Sequence, residues 1–385
     1  MKPVVATFLS HYAPGYKAGG PLQSIVNLVD RLGDEFDFRI VTSDRDLGDD
    51  QAYPDVPVDR WTEVGKAEVR YLPPRPSLRD IAAILASLPY DLLYLNSFFD
   101  PRFTNAPLLL RRLDKSGARR LAILAPRGEF SEGALRLKRT RKRAFMVAGR
   151  VGGLHRGLTW QASTEHEAAD IRRAMGDVDI ICAPDLPRRV SALPDRISRI
   201  VGDPLRVAFL SRISPMKNLL FALEVLAKVR TPVVFSIYGP REDADYWAHC
   251  ASAIAALPPH IRVVEAGPVD HRQVVGTLAG HDLFFLPSRG ENYGHVVTEA
   301  LEAGLRLLIS DRTPWRGLEA EGVGYDLPLD DQDAFVRAIE AEAATISGDE
   351  EPLKLRHYLE RALNVDEAVD ANRQLFLGVL SRTPA

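Results

Sequence analysis

Short apolar runs alternate along the chain with longer stretches in which Leu, Ile, Val and Ala recur at helical spacing. Such alternation predicts parallel sheets built from βαβ units. In the first half the apolar runs "KPVVATFLS", "FDFRIVTS", "AEVRYLP", "DLLYLNS", "RLAILAP" and "LTWQAS" read as strands. In the second half "LRVAFLS", "PVVFSIYG", "IRVVEAG", "DLFFLPS", "RLLISD" and a weaker "GVGYDLP" do the same. Six strands in each half predict two Rossmann-like halves of an α/β fold. Between them, "APDLPRRVSALPDRISRIVGDP" (Ala183 to Pro204) holds four prolines and no sustained period, which marks a linker. The expected division is therefore 1–188, a linker at 189–204, and 205–365. The tail "LKLRHYLERALNVDEAVDANRQLFLGVLSR" reads as helical, with Val365, Val369, Phe376 and Leu380 among its apolar positions.

Candidate chemistry sits where strands empty into turns. In "VAFLSRISPMKNLLFALEVLAKV", Ser214 is the expected N-cap and Pro215 the first helical residue, with Leu219, Leu223 and Leu226 on the buried face. Arg212 then leaves the strand end and Lys217 falls in the first helical turn. There the helix dipole disfavours a cation by roughly a few tenths of a kcal/mol, so an anion to be held is one reading. The other is that Lys217 points to water and Arg212 pairs with a surface carboxylate.

A second strand–turn–helix is "DLFFLPSRGENYGHVVTEALEAG". Its helix is expected from about Tyr293 to Ala303, stopped by Gly304, with backbone N–H groups near Tyr293, Gly294 and His295 placed for a phosphate. Glu299 shares a helix face with His295, and Glu291 precedes the helix. Each glutamate alone is ordinary; beside Gly290, Gly294 and the preceding strand they point to a ligand. The first turn of the chain, "SHYAPGYKAGGPLQSIVNLVDRLG", carries Gly15, Gly19 and Gly20 before Pro21 opens a helix with Leu22, Ile25, Val29 and Leu32 inward. It lacks the GxGxxG spacing of a dinucleotide fingerprint. Its glycines either shape the turn or let a phosphate or sugar approach the backbone.

Bulk properties narrow the classes. At 385 residues the chain exceeds the size at which one core stops growing, and a formal net charge of -3 gives no global electrostatic case for nucleic acid. Cys182 and Cys250 stand far apart without a CxxC, so reduced thiols are the simpler reading. No HExxH or His pair at ligand spacing marks a metal site, and the DxD in "DADYW" (Asp243 to Trp247) lies in an acidic loop that reads as a solvated turn. No run is long enough to span a membrane, and "MKPVVATFLSHYAPG" does not make a convincing signal peptide.

The GG loop after the first strand, "SRISPMKN", "SIYGP" and "LPSRGENYGHVVTEALEAGLRLLISDRTPW", in that order, resemble the retaining glycosyltransferases of family four. The resemblance runs from Phe8 to Trp315. It implies the GT-B fold, two Rossmann-like domains facing a central cleft, with a nucleotide sugar held mainly by the second domain and acceptor contacts from the first. It also implies no metal or other cofactor, and a last helix, about 366–381, that packs back on the first domain. By the same resemblance Arg212 and Lys217 grip the donor diphosphate, Glu291 holds sugar hydroxyls and Glu299 reaches the nucleotide ribose. Asn292, Tyr293, Gly294 and His295 form the loop that meets sugar and phosphate, Gly239 lies in the matching "SIYGP", and Gly19 and Gly20 close over the diphosphate. Many relatives carry a His after the fifth strand where "LAPRGEFSEGALRLK" has Arg127, so Arg127 is the candidate to take that role through the phosphate or donor sugar. Glu129 either reaches the acceptor or caps the turn.

The stretch Arg136 to Arg156 holds eight Lys and Arg and no acid. It reads as a solvated cationic face edging the acceptor site. As a helix with Leu137, Ala144, Ala148 and Val151 on one side, it could instead lie on an anionic membrane carrying a lipid-linked acceptor. The expected function is a cytoplasmic retaining hexosyltransferase, at the inner face of a membrane in the second case, serving polysaccharide or lipid-linked glycan synthesis. The alternatives are a nucleotide-sugar epimerase of similar fold and a non-catalytic sugar-nucleotide binding protein.

Overall fold

A computed structural model describes residues 1–114, 121–136, 139–189, 199–200, 202–345 and 351–382. The chain forms two units, Met1–Arg188 together with Val365–Ala385, and Arg189–Asn364. Most of the expected linker 189–204 lies outside the described residues.

The first unit carries β1 (Val4–Phe8), β2 (Asp37–Ser43), β3 (Trp61–Val64), β4 (Ala67–Leu72), β5 (Leu92–Asn96), β6 (Leu121–Ala125), β7 (Thr159–Ala162) and β8 (Ile180–Cys182). They form one sheet in the order β3-β4-β2-β1-β5-β6-β7-β8, parallel except for β3, which pairs antiparallel with β4. Eight strands replace the six read from the pattern. The two unread ones are the sheet's edges: β3 is reached by a tight turn through Gly65 (φ 62), and β8 has three residues, all half-buried. Neither buries a face deeply enough to leave an apolar signal.

The central strands are buried on both sides, which is why they read as continuous apolar runs. In β1, Val5 packs into the core on one face while Ala6 and Phe8 pack on the other; in β5, Leu92 and Tyr94 oppose Leu93 and Leu95. The helix Gly20–Leu32 covers the first face with Ile25, Leu28, Val29 and Leu32. The C-terminal helix Val365–Leu380 covers the same face. Its Phe376 ring sits 5.2 Å from Phe36 and 5.3 Å from Tyr94, while Asn372 donates to Pro184 O at 2.7 Å and Arg373 reaches both carboxylate oxygens of Glu35.

The second unit carries β9 (Leu205–Leu210), β10 (Val233–Tyr238), β11 (Ile261–Gly267), β12 (Leu283–Leu286), β13 (Arg306–Ser310) and β14 (Gly324–Leu327). These are the six strands expected. All pair in parallel, in the order β11-β10-β9-β12-β13-β14, around one hydrophobic core.

Candidate active site

The strand order of the second unit reverses direction between β9 and β12. In an open α/β sheet the segments leaving the carboxyl ends of two such strands diverge to opposite faces, and the crevice left between them takes the ligand. The turn after β9 carries Arg212 and Lys217; the loop after β12 carries Glu291 and Asn292 to His295. Strand order alone therefore brings these residues together.

The turn after β9 departs from the expected local structure. Ser214 O accepts from the backbone N–H groups of Lys217 (3.0 Å) and Asn218 (3.2 Å), closing a turn, and Asn218 then adopts φ 62. A left-handed residue cannot sit inside a right-handed helix, so the helix is Leu219–Leu226 and neither Ser214 nor Pro215 belongs to it. Lys217 thus stands before the helix, on a turn. Leu219, Leu223 and Leu226 are buried as expected.

The two loops are tied to each other. Arg289 N donates to Met216 O at 2.8 Å, Ser288 Oγ donates to the same carbonyl at 3.3 Å, and Arg312 O accepts from Glu291 N at 3.2 Å. Held this way, Lys217 Nζ lies 2.5 Å from Glu291 Oε1, with the side chains 17% and 9% exposed. Among the described residues the second Glu291 oxygen has no polar partner. Arg212 pairs instead with Glu242 at 2.9 Å, both about a third exposed, which matches the surface-carboxylate reading of that residue.

The following helix is His295–Glu302, two residues shorter at its start than expected, because Gly294 (φ 80) is its N-cap. A Cβ at Gly294 would also come within 3.3 Å of both Trp315 Nε1 and Val297 Cγ2. Trp315 Nε1 donates to Tyr293 O at 2.8 Å, and the Tyr293 ring packs at 4.7 Å on that of His295. Asn292 Nδ2 is buried with no protein acceptor among the described residues. A donor in that state is satisfied by a ligand or by water. Glu299 is 5% exposed, and His271 Nδ1 lies 3.0 Å from its Oε1. His271 escaped the sequence reading because a lone His before a short turn carries no periodic or spacing signal. Gly239 (φ 131) is demanded by packing: a Cβ there would stand 1.9 Å from Ser211 O. Asp243 caps the helix Ala244–Ala255 by accepting from Tyr246 N.

In the first unit the strand order reverses between β1 and β5. Gly19 (φ 70) caps the helix that begins at Gly20, at the end of the turn leaving β1. That turn is fastened from the side: Asp46 accepts from the backbone N–H groups of Tyr16 (2.7 Å) and Lys17 (3.0 Å), and Lys17 Nζ pairs with Asp49 at 2.5 Å. Arg127, expected to face the ligand, is turned inward. Its side chain is 4% exposed, forms an ion pair with Asp185, and donates to Asn96 Oδ1 (2.9 and 3.0 Å) and Tyr94 Oη (2.6 Å). All three guanidinium nitrogens thus have protein acceptors, so the side chain organises the interior of the unit. Glu129 caps the turn after β5, accepting from Ser97 Oγ (2.8 Å), Phe99 N (3.1 Å) and Phe98 N; its burial raises its pKa.

Leu137 and Lys138 lie outside the described residues. The helix Arg139–Val151 packs Phe145 and Met146 against the core and leaves Ala144, Val147, Ala148 and Val151 exposed beside Arg141, Arg143 and Arg150. No helix among the described residues is long and apolar enough to cross a membrane. Among them, too, no group of three or more His, Cys, Asp or Glu is arranged to hold a metal ion. Both cysteines are free.

Residues 194–356 match the model of the family glycosyl transferases group 1. A phosphatidyl-myo-inositol mannosyltransferase of Mycobacterium tuberculosis is 32% identical over 150 residues, 37% of this chain and 38% of that protein. Its counterpart in Mycolicibacterium smegmatis is 28% identical over 198 residues, 50% of this chain and 47% of that protein. The chain is thus aligned over less than half the length of these relatives. Solved structures cover it almost entirely. A sucrose-phosphate synthase from Thermosynechococcus elongatus superposes with a TM-score of 0.71 at 16% identity, over 98% of this chain and 100% of that one. Anabaena HepE in complex with UDP and glucose gives 0.66 at 15%, over 98% and 100%. The family match fills most of the second unit and the solved structures span both, so the chain has the GT-B fold and its second unit is similar to the group 1 glycosyl transferases.

Proposed function

We propose that the protein transfers a sugar from a nucleoside diphosphate sugar to a hydroxyl of a lipid-linked or growing glycan acceptor, with retention at the anomeric carbon. The observation that carries this reading is the Lys217–Glu291 pair at the strand-order reversal of the second unit. There a cation is held beside a carboxylate whose second oxygen is available to a ligand. Lys217 and Arg212 would neutralise the diphosphate, Glu291 would accept from sugar hydroxyls, Asn292 Nδ2 would find its missing acceptor on the donor, and Glu299 would accept from the ribose. The bond from the anomeric carbon to the phosphate oxygen breaks, and the acceptor oxygen bonds to that carbon from the same face. The acceptor proton passes to the departing phosphate oxygen, and charge growing on that phosphate is what the two cations stabilise.

The relatives support a lipid acceptor through their names, and the exposed apolar stripe of the helix Arg139–Val151, flanked by arginines, supports docking on an anionic membrane. Incubation with labelled UDP-, GDP- and ADP-sugars tests the reading. Slow donor hydrolysis, and transfer once an acceptor is supplied, are expected. Isomerised sugar would point to an epimerase, and binding without turnover of any donor would make the protein a carrier of sugar nucleotides.

A further inference from the structure

Glu299 presents a problem in burial. A carboxylate 5% exposed loses most of its hydration and needs another group to compensate. Among the described residues its one polar side-chain partner is His271, with Nδ1 3.0 Å from Oε1; the other oxygen has none. The arrangement repeats that of Glu291, where Lys217 holds one oxygen and the second is left over.

His271 is itself placed by its backbone. It opens a single 3-10 turn, His271–Gln273, capped by Asp270, whose Oδ1 accepts from Arg272 N at 2.9 Å and whose carboxylate also takes the Arg272 side chain at 3.2 Å. The helix that follows, Val274–Leu278, buries Val274, Val275 and Leu278 in the same core as Val297, Ala300 and Leu301 of the helix bearing Glu299. The imidazole therefore meets the carboxylate from a fixed direction. A carboxylate offers roughly four lone-pair positions, so one contact on Oε1 leaves enough acceptors for a vicinal diol while removing the freedom of the side chain to turn.

We propose that His271 is a positioning residue for the nucleotide: it orients Glu299 so that the carboxylate receives the two ribose hydroxyls of the donor. This rests on the donor reading of the preceding section. His271 touches neither sugar nor phosphate, so its loss weakens nucleotide binding and donor KM and leaves kcat nearly alone.

The test compares two ligands on three proteins. Binding of UDP, GDP and ADP is measured by calorimetry on the intact wild-type chain, and the best of them is then compared with its 2′,3′-dideoxy analogue on wild type, His271→Leu and His271→Asn. The wild type is expected to prefer the ribose form by about tenfold, the scale of a hydrogen bond to a charged group. His271→Leu should lower that preference to about one, and His271→Asn, which returns an N–H donor near the Nδ1 position, should restore most of it. Binding of the dideoxy analogue should be the same in all three proteins. That equality separates positioning from a general loss of structure; should the leucine variant not fold, His271→Ala, which also lacks a donor, is read in its place with the same expectations. An undiminished ribose preference in His271→Leu, or a loss shared equally by both ligands, overturns the role of His271 while leaving the donor reading in place. A wild-type chain that binds none of the three nucleotides overturns the donor reading and this role together.

Discussion

Lys217 and Glu291 meet at 2.5 Å although 74 positions separate them in the chain, and they meet because β9 and β12 are neighbours in the sheet. The pair is mostly withdrawn from water, so each member is held by the other before any ligand arrives. Removing either should strip a charged partner from the diphosphate or the sugar. Lys217→Ala and Glu291→Ala are each expected to lower kcat by about a hundredfold to a thousandfold, the scale of one lost transition-state donor. Because the two act as a unit, the double variant should be little worse than the poorer single one. Initial rates with the best donor check this, and near-wild-type rates in both single variants would sink the assignment.

Arg127 is expected to be a stability residue. Breaking a buried ion pair by removing one member costs about 3–5 kcal/mol, since Asp185 is left charged and unpaired in the interior. Arg127→Met should show that loss in urea unfolding, and donor KM in the surviving folded fraction should stay close to wild type. Full stability with abolished transfer would show instead that Arg127 acts on substrate.

Gly239 tolerates no side chain. At φ 131 an L-residue is strained, and a Cβ 1.9 Å from Ser211 O must push the ends of β9 and β10 apart. Gly239→Ala should cost about 3 kcal/mol or more and lower the melting temperature. An unchanged melting curve would contradict the packing described here.

His155 gives the fold a pH dependence. Its ring stacks 4.8 Å from that of Phe98, neither ring nitrogen has a hydrogen-bond partner among the described residues, and burial lowers its pKa from 6.5 to about 4. Between those values the unfolded chain binds a proton that the folded one refuses. Stability is therefore full above pH 6.5 and falls as the pH drops toward 4. Raised carboxylates such as Glu129 and Glu167 act in the opposite sense, because burial makes the folded state the better proton binder. The contribution of His155 is isolated by comparing melting temperatures of wild type and His155→Phe across this range. The difference between them should change steadily with pH, and parallel curves would refute it.

Much of the scaffold was legible along the chain. Buried parallel strands are apolar runs because helices cover both faces, so the central strands of the first sheet and all six of the second announce themselves; the edge strands Trp61–Val64 and Ile180–Cys182 have no such face to declare. The turns holding Lys217, Glu291, Gly19 and Gly294 were legible too, because glycine and proline punctuate the chain locally. The pairing of those turns was not. Asn218 taking a left-handed conformation moved Lys217 off its helix, the side chain of Arg127 turned inward to Asp185, and a histidine without any motif came to face Glu299. Periodicity and turn chemistry are properties of a few consecutive residues, so the sequence by itself determined the elements and their order. Which charged groups face each other depends on strand adjacency and on what each side chain finds within a few ångströms, and that only the tertiary structure decided.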